Sequence, residues 1–65
     1  MYGNLLIEMK KKKVTQAEIA KALNISRRSV FNKVSGNIEF SMSEALTIKR
    51  TFFDDQTIEY LFEQR

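Results

Sequence analysis

Cysteine, histidine, proline and tryptophan are all missing from this chain, and glycine occurs twice in 65 residues. Without cysteine no disulfide can form, and without cysteine or histidine the usual structural zinc site has no ligands. The missing proline and scarce glycine remove the turn punctuation of a β-sandwich or barrel. The longest aliphatic run, Leu5-Leu6-Ile7, falls far short of the roughly 20 apolar residues a membrane helix needs. No signal-peptide pattern is present, so a cytoplasmic protein is expected. No arrangement of base, nucleophile and orienting group is present and histidine is absent, so neither enzyme activity nor a cofactor or metal is expected. Asp54 and Asp55 are adjacent carboxylates, and helix capping is a commoner use for such a pair than metal binding or catalysis.

What is present points to packed helices. Hydrophobic residues make up 43% of the chain, which argues against disorder. A chain of this length forms one domain with a modest core, and dimerisation is a common supplement. No repeat, linker or low-complexity stretch divides residues 1–65. The expected fold class is all-α.

Charge is distributed unevenly. Residues 1–36 hold eight Lys/Arg against Glu8 and Glu18, a balance of +6, whereas residues 37–65 hold three Lys/Arg against six acids, a balance of −3. A basic half beside an acidic half suggests one surface that faces a polyanion and one kept away from it.

Hydrophobic spacing predicts five helices. The first covers about residues 3–12, with Leu5, Leu6 and Met9 on one face. The four lysines at 10–13 close it, either as a solvated end that suits the helix dipole or as phosphate contacts. Thr15 followed by Glu18 forms a capping box for the second helix, whose buried face is Ile19, Ala20 and Leu23. Asn24 suits the left-handed residue that stops it. Ser26 caps the third helix, Val30 and Val34 face inward, and Gly36 ends it. Ile38 and Phe40 are expected to pin the loop over 37–40. Ser41 and Glu44 form a second capping box for a fourth helix with Ala45, Ile48 and Phe52 inward, a stripe that Leu46 and Phe53 widen. Asp54 and Asp55 offer an N-cap for a short fifth helix containing Ile58, Leu61 and Phe62.

The frame Gln16-Ala17-Glu18-Ile19-Ala20, then Leu23-Asn24-Ile25-Ser26 and Val30, resembles the phage repressor and Cro family of helix-turn-helix proteins. That family carries Q-x-E-L-A-x-x-L-G-I-S-x-x-x-I. The stretch TFFDDQTIEYLF is similar to the last two helices of small phage regulators from Gram-positive hosts. The resemblance covers nearly the whole chain and implies a five-helix, lambda-repressor-like domain with its helix-turn-helix over about residues 16–34. Three departures from the pattern involve four positions. Asn24 replaces a turn glycine, and Met9 and Val34 stand where the family often has an Arg–Glu pair. Lys33 occupies a position that many relatives fill with a hydrophobe.

With Val30 inward and about 100° per residue, Arg28 and Asn32 point away from the core, flanked by Ser29 and Phe31. The resemblance implies that these four meet base edges in the major groove of double-stranded DNA. Arg reads guanine O6 and N7, Asn reads adenine N6 and N7, and Phe31 can meet a thymine methyl. Phe31 has equal standing as a satellite core residue or part of a protein interface. Gln16, Arg27, Lys33, Ser26 and Lys13 are expected on phosphates, helped by backbone N–H groups at the starts of the second and fourth helices. The aromatic C-terminal part predicts a homodimer contact through Phe53, Tyr60 and Phe62, with Tyr60 the most exposed. The resulting expectation is a sequence-specific transcription regulator, a Cro-like phage or prophage repressor on a palindromic operator. Cro is the nearer comparison because this length leaves no room for the C-terminal assembly and self-cleavage domain of larger repressors. The alternative is a protein-interaction module on the same fold, antirepressor-like or antitoxin-like.

Overall fold

The computed structural model describes residues 1–64. Among them the chain forms five α-helices and no strand: α1 (Gly3–Lys12), α2 (Gln16–Leu23), α3 (Arg27–Val34), α4 (Met42–Phe52) and α5 (Ile58–Leu61). No helix among the described residues is long and apolar enough to cross a membrane.

Local chemistry sets most of the boundaries. Thr15 accepts from the Glu18 N–H while the Glu18 side chain returns to the Thr15 N–H, and Ser41 and Glu44 repeat the arrangement. Such reciprocal caps satisfy donors that a helix start leaves open. Ser26 caps α3 by accepting from the Ser29 N–H. Asn24 ends α2 in the left-handed region at φ 58°. Lys13 does the same for α1 at φ 57°, a conformation in which a lysine is strained. Gly36 follows α3 at φ 92°, where an added Cβ would lie 2.7 Å from the Met1 backbone nitrogen.

The cap of α5 corrects the expectation for Asp54 and Asp55. Thr57 is extended, and its hydroxyl accepts from the Tyr60 N–H. Asp54 and Asp55 lie in the preceding turn. The Asp55 carboxylate is taken by Lys12, whose ammonium also lies 5.6 Å from the centre of the Phe53 ring.

The helices pack as a chain of neighbours: α2 against α3 and α4, then α4 against α5, and α5 against α1. Tyr2, just before α1, returns the circuit to α3 by donating its N–H to the Val34 carbonyl at 3.3 Å. At the centre, Leu5, Ile19, Val30, Ile48, Phe53 and Leu61 are fully enclosed. Met9 and Val34 belong to the same buried cluster. Tyr2, Phe40 and Phe62 form an edge-to-face trio with centroids 5.2 to 5.8 Å apart, a geometry that favours aromatic pairs.

Two apolar expectations change. Phe53 is 0% exposed, so it offers nothing to a second copy. Its backbone leaves the helix at φ −136°, and that break turns the ring into the core. Ile38 is 51% exposed, so Phe40 alone of the pair anchors its loop.

The face of α1 toward α5 is polar as well as apolar. Asn4 and Glu8 are both buried. Asn4 Nδ2 donates to the Tyr60 carbonyl at 2.9 Å, and the Tyr60 hydroxyl donates to Glu8 Oε2 at 2.9 Å. Lys11 lies 3.6 Å from the same carboxylate oxygen. Tyr60 is therefore half-buried and held at both ends, not a protruding ring.

Candidate nucleic-acid interface

Val30 and Val34 fix the orientation of α3 because they lie one turn apart and are both buried. Arg28, exposed, points away from them, while Arg27, also exposed, sits nearer the edge at the first turn and Phe31, 54% exposed, lies on the flank. Ser29, Asn32 and Ser35 flank them, half-buried. Seven of the expected contacts, Gln16, Ser26, Arg27, Arg28, Ser29, Phe31 and Asn32, thus belong to α2, α3 or the short connection between them. Lys13 is exposed on the adjoining α1–α2 connection.

The hydroxyls at the start of α3 are ordered. Ser26 Oγ accepts from the Ser29 N–H at 3.1 Å and donates to Ser29 Oγ at 3.0 Å. Ser29 Oγ, which accepts in that bond, keeps its own proton to donate. Ser35 is turned inward on its own helix, donating to the Phe31 carbonyl at 2.8 Å.

Electrostatics separates α3 from its neighbours. The capping boxes place the Glu18 and Glu44 carboxylates on the starts of α2 and α4. Those anions already occupy the positive end of each dipole and work against a phosphate there, contrary to the expected help from these two termini. The first turn of α3 has no acid and carries two arginines instead. Cations are mildly unfavourable at that end, so an anion supplied from outside would relieve both.

Pairing also sorts the lysines. Lys11, Lys12 and Lys33 face acids: Glu8, Asp55 and Glu44. Lys10, Lys13, Lys21, Arg27 and Arg28 have no ion pair among the described residues. The basic half of the chain therefore keeps its uncompensated charge on α3, α2 and the end of α1.

Lys33 is the exception to the expected phosphate set. Its ammonium lies 3.1 Å from Glu44 Oε1, and the two side chains are only 15% and 21% exposed. Three residues past Val30, it stands about 60° from the inward direction, on the flank that meets α4. Burial works to raise the Glu44 carboxyl, but the Ser41 N–H and Lys33 outweigh it and hold the pKa below the ordinary value. This pairing takes Lys33 off the outward face. It was legible in part: Glu44 is marked by its capping box and Lys33 by its angle, but nothing local joins them. Tyr2, which bonds the end of α3, carries no sequence signal of that role.

The chain was compared with protein-family models, curated proteins and solved structures, and none of them matches it.

Proposed function

We propose that the protein is a sequence-specific DNA-binding transcription regulator of the lambda-repressor-like helix-turn-helix kind. In this reading it is a Cro-like phage or prophage repressor that binds a palindromic operator as a homodimer. One observation carries the proposal: α3 rests on buried Val30 and Val34 and turns Arg27, Arg28 and Phe31 outward from an acid-free first turn. A helix of this kind enters the major groove, with Arg28 and Asn32 on base edges and Ser29 and Phe31 beside them. Arg27, Gln16, Ser26 and Lys13 hold phosphates along its flank. With Phe53 enclosed, Tyr60 and Phe62 remain for the contact between copies, and half-sites lie ~10 base pairs apart.

The test is selection of bound duplexes from random oligonucleotides, with sedimentation of the protein alone and on the selected duplex. A palindrome and a dimer on it are expected. Enrichment without sequence preference reduces the activity to bulk polyanion binding, and a strict monomer on the duplex rejects the dimer.

A second reading is favoured by the apolar exposure of Phe31, Ile38 and Met42, at 54%, 51% and 67%. In that reading, the protein-interaction module, α3 meets another protein. Failure to retain any duplex, with Phe31→Ser abolishing capture of a protein partner, is the outcome that favours it.

A further inference from the structure

The end of α3 is held in an unusual way. Among the helices, α3 packs extensively only against α2. Its C-terminal turn, which buries Val34 in the core, carries polar ties as well. One is the Tyr2 N–H on the Val34 carbonyl, and the other is Lys33 on Glu44. The Glu44 oxygen that Lys33 reaches is the one that accepts the Ser41 N–H at 2.9 Å. That carboxylate therefore has its rotamer set by the start of α4 before Lys33 arrives. Both side chains are largely covered, so solvent screening is weaker than for an open surface pair.

We infer that Lys33 and Glu44 form a positioning pair that sets the tilt of α3 against α4, and so the aim of Arg28 and Asn32, without either touching DNA. The inference rests on the DNA-binding reading above. Asn32, the neighbour of Lys33, accepts the Asn37 and Ile38 N–H groups on its carbonyl. Movement at Lys33 is thereby passed to the loop and to the outward face together. A phosphate contact by Lys33 would require it to leave Glu44.

The two roles predict opposite signs for one variant. Glu44→Gln keeps a capping-box acceptor, since glutamine serves at that position, but removes the charge that holds Lys33. If Lys33 positions α3, Glu44→Gln weakens binding to the selected duplex, and Lys33→Met does so by a similar factor. Residues that act without touching the ligand typically change it roughly two- to thirtyfold. The double variant Lys33→Met with Glu44→Gln, which leaves net charge unchanged, is then no weaker than either single. Affinity for scrambled duplex and the salt slope stay near wild type. If Lys33 is a phosphate clamp, Glu44→Gln frees it and tightens binding, and Lys33→Met lowers the salt slope by about one unit. Tighter binding by Glu44→Gln, or a lowered slope with additive losses, overturns the inference.

Amide spectra of the free protein give a second readout. Each single variant, and the double, should shift the Arg28 to Asn32 resonances in the same direction. Unmoved α3 amides in folded Lys33→Met and Glu44→Gln overturn the inference whether or not DNA binds. A wild-type protein that selects no duplex instead overturns the DNA-binding reading.

Discussion

The Tyr60 hydroxyl donates to a carboxylate oxygen of Glu8 across 2.9 Å, joining α5 to α1 between residues 52 apart in the chain. Glu8 is 3% exposed, so the bond satisfies a charge that water barely reaches. Tyr60→Phe removes the donor and keeps the ring. Hydrogen bonds to charged groups contribute about 1.5–3 kcal/mol, and a loss in that range is expected in the denaturant midpoint. The salt slope of DNA binding should not change. A midpoint equal to wild type would mean that Lys11 and solvent serve Glu8 equally well.

Arg27 and Arg28 should separate by function. Arg28→Ala is expected to cost about 1–3 kcal/mol on the selected duplex, concentrated at one base pair of each half-site. Arg27→Ala is expected to weaken selected and scrambled duplexes alike and to reduce the salt slope by about one unit. Equal weakening of both duplexes by Arg28→Ala would make it another phosphate contact.

Lys13 stands at φ 57°, where any residue with a Cβ is strained by roughly 1–2 kcal/mol. Lys13→Gly relieves the strain, while Lys13→Ala keeps it and loses the side chain. Glycine's freer unfolded chain takes back about 0.4–1 kcal/mol. Glycine should therefore exceed alanine in stability at this site, by about 1 kcal/mol. Thermal melts of the two variants compare them directly, and both should show the same reduced salt slope if Lys13 meets phosphate.

Acid should weaken the fold through Glu44 and Asp55. Both carboxyls sit below their ordinary values in the folded chain. Ser41 and Lys33 outweigh burial at Glu44, and Lys12 lowers Asp55. Between the folded and unfolded pKa values the unfolded chain binds more protons, so stability rises with pH across that window. The contribution is fully present above the unfolded value and is lost as pH falls through the folded one. Asp55 is exposed, so its share should shrink in high salt. Denaturant midpoints from neutral pH into the acid range should fall, and less steeply in Glu44→Gln.

The readable parts of this fold were those decided within a few residues. Thr15 with Glu18, Ser41 with Glu44, left-handed Asn24, and inward Val30 with Val34 depend on spacings of three or four along one helix. Their outcome follows from local geometry alone. Periodicity places Phe53 beside the inward stripe of α4, and it is buried there; its assignment to a contact between copies fails because its backbone leaves the helix one residue after Phe52 with the ring enclosed. Asp54, Asp55 and Thr57 can all cap a helix; Thr57 does so, and Asp55 is taken by Lys12, which arrives from the far end of α1. Outward Arg28 and Asn32, with Ser29 and Phe31 beside them, follow from the wheel, but the withdrawal of Lys33 does not. It depends on where α4 places Glu44. Asn4 and Glu8 were hidden for the same reason, since two polar residues one turn apart ordinarily mark a wet face.

The closed circuit of packing has a consequence for how the domain opens. The first helix lies against the last, and Tyr2 is bonded to the end of α3, so α1 and α5 are not ends that fray independently. Sub-global opening elsewhere often proceeds through separable cooperative units. Here the release of α5 strips the cover from Asn4 and Glu8 and exposes the neighbours of Leu5 and Leu61. Amide hydrogens on both helices should then exchange with deuterium at rates near those of Ile19 and Ile48, and respond together to added urea. A 65-residue chain built this way melts as one unit or not at all.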